Sequence, residues 1–113
     1  MLVRKNQSKK IKNSRSCTVW EYRIPSKLIS FATTLINGRY PDKGRVANMK
    51  CEEIYYVVSG TGVVHSEFGN FRLQRGDLYF FKKAEKYWVE GRNLFMVLVN
   101  APPWFAEQHK IFY

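Results

Sequence analysis

The stretch EEIYYVVSG, residues 52–60, holds the side chains best suited to chemistry. Strand alternation puts Glu53, Tyr55 and Val57 on one face and Glu52, Ile54 and Tyr56 on the other. A carboxylate and a phenol side by side can orient a hydroxylated or carbonyl ligand, and can serve as general base and acid. A second group, NGRYPDKGRVANMK at 37–50, carries Arg39, Lys43, Arg45 and Lys50 around a Pro/Gly turn. The arginine fork matches carboxylate or phosphate, and lysine adds a point charge. With Lys82, Lys83 and Lys86 these residues predict an electropositive rim that draws in an anionic ligand such as a sugar phosphate or a carboxylate. Other chemistries find no support. There is no serine elbow and no Cys–His pairing in sequence, and Ser59-Gly60-Thr61-Gly62 lacks the following helix that a phosphate loop requires. His65 and His109 are isolated in the chain, the pattern of surface or structural histidines.

The elements that must position these groups read as strands. SCTVWEY, LISFATTLI, RVANM, EEIYYVVSG, GVVHSEF, NFRLQ, LYFF, YWVEG and RNLFMVLVN are short and apolar or alternating, with turn residues such as Asn37-Gly38, Thr61-Gly62 and Gly69-Asn70 between them. Nine short strands without helical crossovers predict a sandwich or barrel. The paired prolines of APPWFAEQHK take the chain out of the sheet, where that tail can cover an edge or reach a partner subunit. The tryptophans and most other aromatic residues read as core or dimer seam rather than as a stacking platform.

A chain of 113 residues is one domain, and 45% hydrophobic content places it in the globular class. The formal charge of +10 is uneven: residues 1–16 hold six of the 19 Lys and Arg and no acid, leaving a net +4 from the 13 basic and nine acidic residues of 17–113. Residues 1–16 therefore read as a basic, flexible arm and residues 17–113 as the domain. Such an arm leaves a nucleic-acid accessory role as an alternative, one that composition alone does not favour. No apolar run is long enough to cross a membrane as a helix, and no stretch resembles a signal peptide. With only Cys17 and Cys51, the expectation is a cytoplasmic protein with reduced thiols.

Two stretches together resemble the cupin family. Glu53 to Gly60 is similar to the second half of its first motif, with a glutamate seven positions before a turn glycine, and Gly76-Asp77-Leu78-Tyr79-Phe80-Phe81 through Trp88 is similar to its second. The resemblance covers about residues 30–101 and implies an all-β, cupin-type jelly roll, a double-stranded β-helix barrel with a ligand pocket inside. It also implies a divalent metal held by two histidines before the glutamate and one in the second motif. Those histidines would fall at Ala47 and Met49, or at Val46 and Asn48, and at Tyr87; none is a histidine. One carboxylate cannot hold zinc, iron or manganese, so the resemblance implies a metal-independent pocket with no cofactor. Glu53, Tyr55 and Tyr87 would form its floor, with Asn48 beside them and Arg39, Arg45 and Lys50 at its rim. The reading is a small-molecule-binding protein, possible as a homodimer; the alternative is an enzyme of the sugar isomerase or epimerase type, whose proton transfers need no metal.

Overall fold

The computed structural model describes residues 1–113. Nine strands follow one another: β1 (Lys9–Ser14), β2 (Cys17–Tyr22), β3 (Ser30–Tyr40), β4 (Arg45–Asn48), β5 (Glu52–Ser66), β6 (Gly69–Leu73), β7 (Leu78–Phe81), β8 (Tyr87–Ala101) and β9 (His109–Phe112). Two single 3-10 turns, Lys5–Gln7 and Ala106–Gln108, are the only helical elements. All pairings are antiparallel. The sheet runs β1-β2-β3-β8-β4-β9, and β5 pairs with β8 while carrying β6 and β7 on its other edge. β8 is the axis of the molecule, flanked by β3 on one side and by β5 on the other over most of its 15 residues.

The alternation read from EEIYYVVSG holds: Glu53, Tyr55 and Val57 are buried, whereas Glu52, Tyr56 and Val58 are exposed. The same period on β8 buries Leu94, Met96 and Asn100. Facing rows from β3, β5 and β8 close an apolar core around Ile36, Val57, Val64, Val89, Leu94 and Met96, each at 0–1% exposure.

Three features differ from the sequence reading, each for a physical reason. Asn37-Gly38, Thr61-Gly62 and Gly91-Arg92 do not end strands; they lie inside β3, β5 and β8. Gly38 is paired with Gly91, and Gly91 with Gly62, so the three form a line across adjacent strands. Ladder irregularities fall beside that line, between Ile36 and Gly38 and between Val57 and Thr61. A bulge inserts a residue and bends the strand, and glycine supplies the conformational room. Five expected short strands are thus three long ones folded over a glycine crease.

The expected flexible arm is also corrected, because Lys9–Ser14 form an ordered strand. β1 pairs with β2 from Lys9↔Glu21 to Ser14↔Cys17, so the sheet begins well before Cys17. Its basic side chains obscured a hairpin register in which Ile11 meets Val19. At the other end, the chain leaves the sheet after Ala101 but returns as β9, whose residues Phe112 to His109 pair with Arg45 to Asn48 of β4.

Candidate functional site

Inside the curled sheet lies a cavity of about 710 Å³, lined by β1, β2 and β3 on one wall, β5 and β8 on the floor, and the 103–109 segment at the side. Glu53, Tyr55 and Tyr87, the residues expected on its floor, and Asn48, expected beside them, all line it and are 2–4% exposed. Tyr55 and Tyr87 meet edge to face at 6.4 Å, and Phe81 packs on both.

Glu53 is the centre of the site. Asn48 Nδ2 donates to Glu53 Oε1 at 3.0 Å, and the Tyr87 hydroxyl donates to the same oxygen at 3.4 Å. Burial nevertheless raises its carboxyl from 4.5 to about 7, with Asn100, Tyr87 and Asn48 offsetting only part of that cost. Asn100 makes the largest of these offsets, its side-chain amide directed at the carboxylate, although its buried Nδ2 completes no hydrogen bond of good geometry.

Asn48 ties this carboxyl to a second group. Its Oδ1 accepts from Gln108 Nε2 at 2.9 Å, Trp104 Nε1 at 3.1 Å and His109 Nδ1 at 2.9 Å. An amide oxygen can only accept, so His109 carries its proton on Nδ1. Burial lowers the His109 pKa and favours the neutral ring, leaving Nε2 to accept from the Tyr40 hydroxyl at 3.1 Å. Burial also holds the Tyr40 phenol protonated, its pKa well above 10. The result is a continuous line, Tyr40–His109–Asn48–Glu53, with both ends on the cavity wall. Cys17, pushed up to about 11 by burial, is an inert thiol on the same wall.

His109, Tyr40, Asn100 and Trp104 were not singled out from the sequence. Parity could have found Asn100, which continues the inward series Leu94, Met96, Leu98 on β8. Nothing local marks His109, because it reaches the pocket only through the pairing of β9 with β4.

The expected rim is placed elsewhere. Arg39 turns away from the cavity, donating to the carbonyls of Pro41 and Gly44 and stacking on Trp88 at 4.0 Å. Arg45 and Lys50 are exposed and do not line the pocket. The cationic side chains that do line it are Lys9, on β1, and Arg23, the residue that follows β2.

A divalent metal does not fit this site. Glu53 has around it two phenols and two amides, and no group of three His, Cys, Asp or Glu side chains gathers anywhere in the fold. Main-chain folding accounts for the other buried carboxylate, Glu85, which accepts from Ser66 Oγ, Tyr79 Oη and the Lys82 amide and clasps the β5–β7 loops.

No protein-family model and no curated protein matches the chain. Solved structures do. Pac13, described as a unique nucleoside dehydratase, superposes with a TM-score of 0.88 at 18% identity, covering 99% of this chain and 90% of that one. A tyrosine-to-phenylalanine form of Streptomyces PAC13 with uridine gives 0.89 at 17% identity, over 99% of this chain and 89% of that one. An RmlC-like cupin from Shewanella frigidimarina gives 0.70 at 14%, over 86% of each chain. A predicted oxalate decarboxylase from Thermotoga maritima gives 0.67 at 25%, over 90% of this chain and 99% of that one. The architecture is that of the cupin barrels.

Proposed function

We propose that this cupin domain is a metal-independent enzyme of acid–base type that removes water from a small hydroxylated ligand built like a nucleoside. The observation that carries the reading is Glu53, a buried carboxyl near pH 7 in a cavity, beside the unpaired amide of Asn100. A carboxylate of that basicity takes a carbon-bound proton when a neighbouring carbonyl acidifies it, so the substrate class is a β-hydroxy carbonyl compound. Glu53 accepts the proton, and the electron pair of the broken C–H bond moves into an enolate whose oxygen Asn100 Nδ2 can hydrogen-bond. The enolate expels the β-hydroxyl, and the Glu53 carboxylic acid returns its proton to the departing oxygen. Water and an unsaturated carbonyl product leave, and Glu53 is regenerated.

The likeness to Pac13 supports the nucleoside scaffold, since that neighbour is described as a nucleoside dehydratase and a variant of it holds uridine. Trp104 and the apolar wall of Ile11, Val19 and Phe31 offer a planar ring a surface to lie on. Lys9 and Arg23 suit an anionic substituent on the ligand. Two buried, unpaired thiols accord with a reducing, cytoplasmic setting. Binding without turnover is the simpler alternative, and one experiment separates the two. The protein is titrated with uridine, then incubated with a nucleoside bearing a β-hydroxy carbonyl group, and the unsaturated product is followed by its ultraviolet absorbance. Turnover lost at least about 100-fold in Glu53→Gln with uridine binding retained supports the enzyme. Binding with no product in either form leaves a binder, and no binding removes the nucleoside.

A further inference from the structure

Charge is unevenly spread around the cavity. One inward row runs Tyr55, Leu98, Ala32, Glu21 and Lys9 across β5, β8, β3, β2 and β1, and all five residues line the cavity. The next row runs Glu53, Asn100 and Ser30, and Arg23, which follows the Tyr22↔Phe31 pair, stands at the same end. Glu53 is thus on the floor, while Lys9 and Arg23 are on the wall and reach solvent at its opening. They are the only Lys or Arg side chains that line the cavity. Neither is engaged elsewhere: the one ion pair of the fold joins His65 to Glu90, and the lysines that lie over aromatic rings are Lys5, Lys10, Lys82 and Lys86. Glu21 stands opposite Lys9 in the hairpin, yet no ion pair closes between them. With one acid against two cations, this wall keeps a net positive charge.

We propose that the ligand of this pocket is a nucleotide, its phosphate held between Lys9 and Arg23; this rests on the nucleoside-like ligand argued above and adds the charge it carries. The register sets the geometry. Lys9 is paired with Glu21, so Arg23, two residues further on, is its diagonal neighbour across the β1–β2 hairpin. Such diagonal neighbours are about 7–8 Å apart, a span that two long side chains can close around one group. A phosphate offers oxygens to both at once, to arginine as a planar fork and to lysine as a point charge. A neutral nucleoside leaves both cations without a partner. The surroundings act in the same direction: residues 1–16 hold six Lys and Arg and no acid, and the hairpin that carries Lys9 carries most of them. A field of one sign at the opening of a cavity raises the local concentration of an oppositely charged ligand.

The test is calorimetric titration of the full chain at low ionic strength with uridine, uridine monophosphate and inorganic phosphate. The parent is compared with Lys9→Gln/Arg23→Gln and with Lys12→Gln/Arg15→Gln, which removes the same charge from the same hairpin but from outside the cavity. The parent should bind uridine monophosphate at least about 10-fold more tightly than uridine, as charge-assisted hydrogen bonds to one phosphate allow. That ratio should fall close to unity in Lys9→Gln/Arg23→Gln, persist in Lys12→Gln/Arg15→Gln, and shrink with added salt. A ratio near unity in the parent overturns the proposal, and so does a ratio that survives in Lys9→Gln/Arg23→Gln. If neither uridine compound binds, the nucleoside reading fails by itself and inorganic phosphate decides the anion site. Phosphate binding weakened at least about 10-fold in Lys9→Gln/Arg23→Gln upholds that site, and phosphate binding that is absent or unaffected by the two changes overturns it.

Discussion

Asn48 does more in this site than its type suggests. One amide oxygen receives Trp104, Gln108 and His109, and the amide nitrogen of the same side chain holds Glu53. The residue stands at a position where the cupin resemblance allows a metal-binding histidine, and hydrogen bonds there do what coordination would otherwise do: they fix a carboxylate and an imidazole in one frame. Asn48→Leu keeps the approximate volume and removes every one of these bonds, leaving Gln108 and Glu53 buried without them. Each buried polar group so orphaned costs about 1–3 kcal/mol, so the variant should lose about 3 kcal/mol or more in urea unfolding. Asn48→Asp retains an acceptor for Trp104, Gln108 and His109 but sets a carboxylate against Glu53, so it should keep more stability at acid pH than at neutral pH. Equal stability of parent and Asn48→Leu would mean that the network is not formed.

At the scale of elements, the glycine crease bends the three long strands β3, β5 and β8 together. A Cβ on Gly91 would lie 2.6 Å from the Ile36 carbonyl oxygen and 2.9 Å from Leu94 Cβ, and one on Gly62 would lie 2.5 Å from the Glu90 carbonyl oxygen. The two carbonyl oxygens belong to neighbouring strands and Leu94 Cβ to β8 itself, and none of the three moves when a side chain rotates, so the space cannot be made that way. Gly91→Ala should therefore destabilise by roughly 2–4 kcal/mol, the range of an overpacked core position with a backbone shift. Gly76→Ala is the contrast: its Cβ would meet nothing within 4 Å, so only the left-handed backbone at φ 90° opposes it. A Gly91→Ala loss no larger than that of Gly76→Ala would show that the crease tolerates side chains. The same crease marks the limit of what the sequence discloses. Strand alternation is local, which is why the burial of Glu53, Tyr55 and Val57 and the all-β class could be read directly. Whether a glycine turns the chain back or merely bends a strand depends on the partner strand, so Asn37-Gly38 and Thr61-Gly62 looked like hairpin turns. The rim failed for a related reason. Arg39 is an inviting anion ligand in isolation, but the carbonyls of Pro41 and Gly44 and the ring of Trp88 claim it once β3 and β8 are paired. Lys9 and His109 come from the two ends of the chain, and only long-range pairing brings either to the pocket.

For the whole molecule, the site's two titrating groups set opposing dependences of stability on pH. Glu53 holds its proton more tightly when folded, at about 7 against 4.5. Its contribution is complete below the unfolded value of 4.5 and is lost as pH rises through 7. A shift of that size corresponds to about 3 kcal/mol. His109 runs the other way: burial lowers its pKa below 6.5, so its unfolded form binds protons first and the fold weakens as pH falls below that value. The two effects overlap between the two reference values, and above neutrality only the loss from Glu53 continues. Chemical unfolding of the parent and of Glu53→Gln at about pH 6 and about pH 8 isolates that upper arm, since the opposing His109 contribution is common to both and cancels in their difference. The parent should lose stability relative to Glu53→Gln, which cannot ionise, as pH rises between those values. A difference between the two proteins that does not change with pH would mean that Glu53 is ionised throughout. It would then be too weak a base for the proton transfer assigned to it, and the unpaired amide of Asn100 would be serving a permanent carboxylate rather than a developing enolate.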